Sequence, residues 1–148
     1  CVAPDVGGTA RARALGKMLN IGLAIVDKRR PSPGKSEVMN VIGNVNNKTC
    51  IIVDDIIDSG GTIVNAAKIL KQKGAKDVHV YVSHGVLSGD AVDKIKRSKI
   101  KNLVITDTID NFNKVKKVKN IEILTISNLV GEAIKRISNS TSVSDLFN

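Results

Sequence analysis

Residues 51–62 read Ile51-Ile52-Val53-Asp54-Asp55-Ile56-Ile57-Asp58-Ser59-Gly60-Gly61-Thr62: an apolar β-branched run, three acids, a Gly-Gly pair and a hydroxyl. The pattern predicts a buried strand that ends, a turn, and a helix that begins near Thr62. Free N–H groups at such a helix start can donate to a phosphate. Gly60 and Gly61 let the backbone come close to it, and Ser59 and Thr62 add hydroxyl donors. Carboxylates repel phosphate, so Asp54 and Asp55 need another partner. Vicinal sugar hydroxyls fit, accepted directly or through a hydrated Mg²⁺. Diol acceptors beside a phosphate cradle describe a sugar phosphate. Ordinary capping would explain one acid before a helix, but not two adjacent Asp directly after a strand and a third before Gly-Gly-Thr.

The same Asp-x-Gly-Gly-Thr pattern occurs at Asp5-Val6-Gly7-Gly8-Thr9. Two cradles suit a ligand with phosphate at two ends. Lys28-Arg29-Arg30, just past an expected strand over residues 23–26, adds cations that could clamp phosphoryl oxygens and offset charge developing during phosphoryl transfer. His79, within an alternating strand pattern, and His84, at a strand end, read as structural. The chain has no Cys/His cluster, no GxxxxGK[ST] loop, no GxGxxG turn and no GxSxG elbow.

These residues require elements to place them. Apolar β-branched runs alternate with helical spacing, the signature of βαβ units and a mostly parallel sheet. Strands are expected over residues 2–3, 23–26, 38–42, 49–53, 78–83, 103–106 and 121–124. Helices are expected over 9–19, 62–73, 90–97 and 128–137, while residues 112–117 fit neither pattern. The fold class that follows is α/β: three layers, with a mostly parallel twisted sheet flanked by helices, in one domain over residues 1–148. Residues 139–148, rich in Ser, Asn and Thr, are expected to form a loosely ordered tail.

Composition narrows the function classes. With 148 residues and 42% hydrophobic content, the chain suits one ordinary folded domain. Two cysteines, Cys1 and Cys50, cannot build a disulfide scaffold, and no apolar run reaches membrane-spanning length, so a reducing, cytoplasmic setting is expected without a membrane partner. The net charge of +9 first suggests nucleic acid, with basic clusters at residues 94–101 and 114–119. Single-strand binders interleave charge with stacking aromatics. Tyr81, Phe112 and Phe147 are the only aromatics, so the basic surface reads as solvated or as serving anionic metabolites, not nucleic acid.

Around residues 53–62 the sequence resembles the phosphoribosyl-diphosphate-binding signature of the type I phosphoribosyltransferase fold. Within that fold it most resembles the ribose-phosphate diphosphokinases. The wider set carries the likeness: residues 3–8, 27–31, 36–43, Ser83-His84-Gly85-Val86-Leu87-Ser88-Gly89 and Thr106-Asp107-Thr108-Ile109 follow the family's order. Ser59 stands where the family often has Thr. The resemblance implies the C-terminal half of an enzyme that uses Mg²⁺ to transfer the β,γ-diphosphoryl group of ATP to the 1-hydroxyl of ribose 5-phosphate. It implies Asp54 and Asp55 for ribose hydroxyls and metal, and Asp58, Ser59, Gly60, Gly61 and Thr62 for the 5-phosphate. Asp5, Val6, Gly7 and Gly8 would serve the diphosphate, with Asp5 also toward metal, and Lys28 and Arg30 would stabilise the transferring group. It further implies homo-oligomers and inorganic phosphate as an activator. An opening on Cys1 rather than Met, and the absence of the family's ATP-contacting half, lead to the expectation that this chain alone is inactive. A nucleobase phosphoribosyltransferase and a non-catalytic regulatory relative are the alternatives.

Overall fold

A computed structural model describes residues 1–29 and 38–147. In chain order the elements are β1 (Val2–Ala3), α1 (Thr9–Met18), β2 (Ala24–Arg29), β3 (Val38–Ile42), β4 (Thr49–Ile57), α2 (Gly61–Gln72) and β5 (Asp77–Gly85). There follow α3 (Ala91–Arg97), β6 (Asn102–Thr106), α4 (Phe112–Val115), β7 (Ile121–Leu124), α5 (Ser127–Ser138) and a 3₁₀ turn at Ser144–Phe147. The strands form one sheet in the order β3-β2-β1-β4-β5-β6-β7. All pairings are parallel except β2 with β3, which run antiparallel from Ile25↔Ile42 to Arg29↔Val38.

The pleat explains the sequence pattern. In β5 Val78, Val80 and Val82 are buried, while the intervening Tyr81 is exposed. The buried side packs against Ile63, Ala66, Ala67 and Leu70 of α2 and Ala91 and Ile95 of α3. Fully burying one such Leu or Ile contributes about 1.5–3 kcal/mol. Gly74, at φ +87°, ends α2 in the left-handed conformation expected of a helix stop. From β1 the chain steps through α1 to β2; from β4 it steps the other way through α2, α3 and α4 to β7. Right-handed crossovers therefore put α1 on the opposite face from α2 and α3, giving the three-layer α/β arrangement. Helix α1 sits close to the sheet through Ala12 and Gly16, its two buried positions.

Two strands differ from expectation in a way that matters. β4 continues to Ile57 because pairing with β5 persists at Asp54↔Val82, Ile56↔His84 and Ile57↔Gly85. Asp54 and Asp55 therefore lie within the strand, not after it. Likewise β2 extends to Arg29, held by its antiparallel partner, so Lys28 sits in a strand opposite Met39. The stretch that fitted no pattern forms a single helical turn, α4. Helix α5 has no buried residue.

Candidate functional site

Strands β1 and β4 are hydrogen-bonded neighbours whose onward connections diverge. This is the topological switch point of the sheet, where a crevice opens outside the carboxyl ends of the strands. The loop after β1 carries Asp5–Gly8 and the loop after β4 carries Asp58–Gly60, so the two sequence motifs meet at that crevice. A cleft of about 320 Å³ lies between them, lined by Pro4, Asp5, Met39, Ser59, Gly61, Thr62 and Asn65. A neighbouring recess of about 210 Å³ is lined by Asp5, Asp54 and residues 56–63. Asp5 borders both.

Both loops open directly into helices, and neither helix has a side-chain cap: the N-cap positions are Gly8 and Gly60. Helix α2 makes its first internal bond from the Val64 amide to the Gly60 carbonyl, at 3.0 Å, so the preceding amides point toward the crevice end of the helix. Gly60 has φ +76°, a conformation costly for a residue with Cβ, although a Cβ there would meet nothing nearer than 3.7 Å. Backbone geometry, not crowding, calls for glycine. In the first loop the Gly8 amide donates to Asp5 Oδ1 at 2.9 Å, which folds the turn on itself. A Cβ on Gly8 would lie 3.2 Å from Pro4 Cδ. The N-terminus of α2 opens on the crevice with Gly61 and Thr62 in its lining, while at α1 the Gly8 and Thr9 amides are already taken by Asp5 Oδ1 and the Val6 carbonyl.

Between them stand the acids. Asp54 is largely covered and Asp55 largely open, with side-chain exposures of 19% and 61%. Burial pushes the Asp54 carboxyl above its ordinary range, and its hydrogen bond to Asp55 holds the latter below it. The Asp55 amide donates to Asp54 Oδ1 at 3.0 Å. Arg11, in the first turn of α1, reaches both: Nη1 donates to Asp54 Oδ1 at 2.5 Å and Nη2 pairs with Asp55 Oδ2 at 2.9 Å. Sequence reasoning missed Arg11, because a cation in a helix's first turn reads as solvated and its partners lie far along the chain. It also missed Met39 and Asn65. Met39 comes from β3, which pairs with β2; Asn65 sits one helical turn beyond the Gly-Gly pair, a spacing that could have flagged it.

Lys28 belongs to β2, whose backbone pairs with Met39 of the cleft; Arg30 lies outside the described residues. Among the described residues no group of three or more His, Cys, Asp or Glu side chains is arranged to hold a metal ion. His79 lies in β5, and His84 Nδ1 is 3.0 Å from Thr108 Oγ1 at the carboxyl end of that strand.

Residues 9–148 match the phosphoribosyl synthetase-associated domain family. This chain belongs to that family. A ribose-phosphate pyrophosphokinase of Bradyrhizobium diazoefficiens is 60% identical over 146 residues, which is 99% of this chain and 46% of that protein. One from Brucella melitensis is 57% identical over 99% of this chain and 47% of its own length. This chain thus spans about half the length of the curated relatives it matches. The crystal structure of phosphoribosylpyrophosphate synthetase from Mycobacterium smegmatis superposes with a TM-score of 0.85 at 33% identity, covering 94% of this chain and 44% of that one. A purine phosphoribosyltransferase from Pyrococcus horikoshii, at 19% identity and a TM-score of 0.51, shares the fold. The family and the type I phosphoribosyltransferase-like fold are those the motifs pointed to.

Proposed function

We propose that this chain is the sugar-phosphate-binding half of a ribose-phosphate pyrophosphokinase. The observation that carries the reading is the meeting of the two Asp-x-Gly-Gly-Thr loops at one switch point, with the α2 N-terminus and Asp54 lining the recess and Asp55 following in β4. In this reading the 5-phosphate of ribose 5-phosphate sits on the Ser59–Thr62 amides and hydroxyls, with Asp58 orienting the loop. Asp54 and Asp55 accept from the ribose hydroxyls. The 1-hydroxyl oxygen then lies toward the Asp5–Gly8 loop, whose amides receive the diphosphoryl group. That oxygen bonds to the β-phosphorus of ATP as the bridge to the α-phosphate breaks; AMP departs, and the hydroxyl proton passes to solvent. Lys28 and Arg30 offset charge on the transferring group.

Mg²⁺ is bound in proteins by one or two carboxylates together with substrate phosphates and retained waters. Asp5 fits that part: it borders both recesses and uses Oδ1 to accept from Gly8. The ion would supply charge neutralisation for the phosphates held there. ATP, a cytoplasmic setting, homo-oligomers and activation by inorganic phosphate belong to the same reading of the whole protein.

Titration with ribose 5-phosphate, following the backbone amide NMR signals of Gly60, Gly61 and Thr62, tests it. Saturable shifts concentrated at those amides are the expected result. A folded sample in which ribose 5-phosphate leaves them unmoved, in the full protein as in this chain, would sink the reading. A nucleobase phosphoribosyltransferase would instead release diphosphate when a base is added.

A further inference from the structure

Arg11 occupies the first turn of α1, where a cation opposes the helix dipole, and the first turn holds no acid to compensate it. A break in a local rule at a crevice calls for a reason. The guanidinium reaches across to two successive carboxylates and gives one nitrogen to each, at 2.5 and 2.9 Å. Each acid thereby commits one oxygen to a fixed donor, and Asp54 Oδ1 also accepts from the Asp55 amide. With Arg11 bound, the pair carries at most one net negative charge instead of two.

That state suits one ligand class better than another. A divalent cation seeks uncompensated anionic oxygens in near-octahedral array and would have to displace a two-pronged guanidinium. A sugar hydroxyl needs only an oriented acceptor.

We propose that Arg11 is a positioning residue that makes Asp54 and Asp55 direct acceptors for sugar hydroxyls and keeps divalent cations off the pair. The inference rests on the sugar-phosphate reading above and sharpens it: metal falls to Asp5 and substrate phosphates, and the diol is held without an intervening ion.

The test uses the full protein, titrated calorimetrically in metal-free buffer with ribose 5-phosphate and, separately, with inorganic phosphate. Mn²⁺ is added in a second series, and the ions bound per chain are counted from the electron paramagnetic resonance signal of the free ion. Helix α1 is anchored by Ala12 and Gly16 rather than by Arg11, so Arg11→Gln is expected to keep its circular dichroism. Arg11→Gln should lose at least about tenfold in ribose 5-phosphate affinity, the scale of a charged hydrogen bond, while phosphate affinity stays within about twofold. It should also bind one Mn²⁺ ion per chain more than the wild type, and adding Asp55→Asn should remove that extra ion. Arg11→Lys, a single point charge unable to bridge both acids, should fall between. A wild-type preference for the sugar phosphate that survives unchanged in both variants overturns the Arg11 assignment alone, as does wild-type protein that binds as many Mn²⁺ ions per chain as Arg11→Gln. Parallel loss of both ligands in both variants assigns Arg11 to folding and overturns it too. Wild-type protein that binds ribose 5-phosphate no more tightly than inorganic phosphate removes the sugar reading itself.

Discussion

Asp55 and Asp58 stand in different settings within four residues of each other: one in a strand beside a guanidinium, the other in the turn that delivers the chain to α2. Replacing both by Asn keeps their shape and removes their charge. The double variant is expected to lose at least about tenfold in ribose 5-phosphate affinity with an unchanged circular dichroism spectrum. Unaltered affinity by calorimetry would remove both residues from the site. A second expectation concerns acid. The Lys101 ammonium, at 3.0 Å from Oδ2, holds Asp77 below the ordinary carboxylate range, and the Thr125 hydroxyl and Ile126 amide do the same for Asp107. Groups depressed in the folded state stabilise it above their unfolded value, about pH 3.9, and lose that effect as pH falls through the lower folded value. Melting temperature should therefore drop below about pH 4, and Asp77→Asn with Asp107→Asn should flatten that drop. Of the residues that line the crevice, the acids and glycines drew notice in the sequence because their types are improbable at those spacings without a ligand. Arg11 was not, since its meaning lies in partners across the sheet.

Among the elements, β5 depends on a glycine. Gly85 ends the strand with its Cα facing Ile105, and an added Cβ would stand 2.8 Å from Ile105 Cδ1 and 3.2 Å from Cγ2. Gly85→Ala is expected to cost about 1–3 kcal/mol in denaturant melts, the usual penalty of overpacking. Its carbonyl also accepts from buried Asn111 Nδ2 at 2.5 Å, so any shift at the strand end is felt in the α4 turn. The strands were legible where apolar residues alternate or run together. They were misjudged at β2 and β4, where charged residues continue a ladder that only the neighbouring strand supports. Propensity assigns Asp to turns, and cross-strand pairing overrides it here. Short helices with few buried residues, α4 above all, leave too little periodicity to read.

For the whole molecule, strand order was not legible, although the alternation of elements was. The divergence of β1 and β4 is a property of the assembled sheet, and it is what turns two separate Asp-x-Gly-Gly-Thr segments into one crevice. Because the relatives are about twice as long, the 148-residue chain alone is expected to take up ribose 5-phosphate without forming AMP from ATP. Chromatographic detection of AMP above the no-protein control would contradict that. The ladder contact between β1 and β4, through Val2↔Ile52, has a metric consequence as well. Adjacent strands lie about 4.8 Å apart, so the two loops that leave them cannot spread without breaking the sheet. In the reading proposed above the crevice works as a ruler: the fixed spacing of its two loops favours ligands by the span between their two anionic ends, with Asp54 and Asp55 left to meet what lies between.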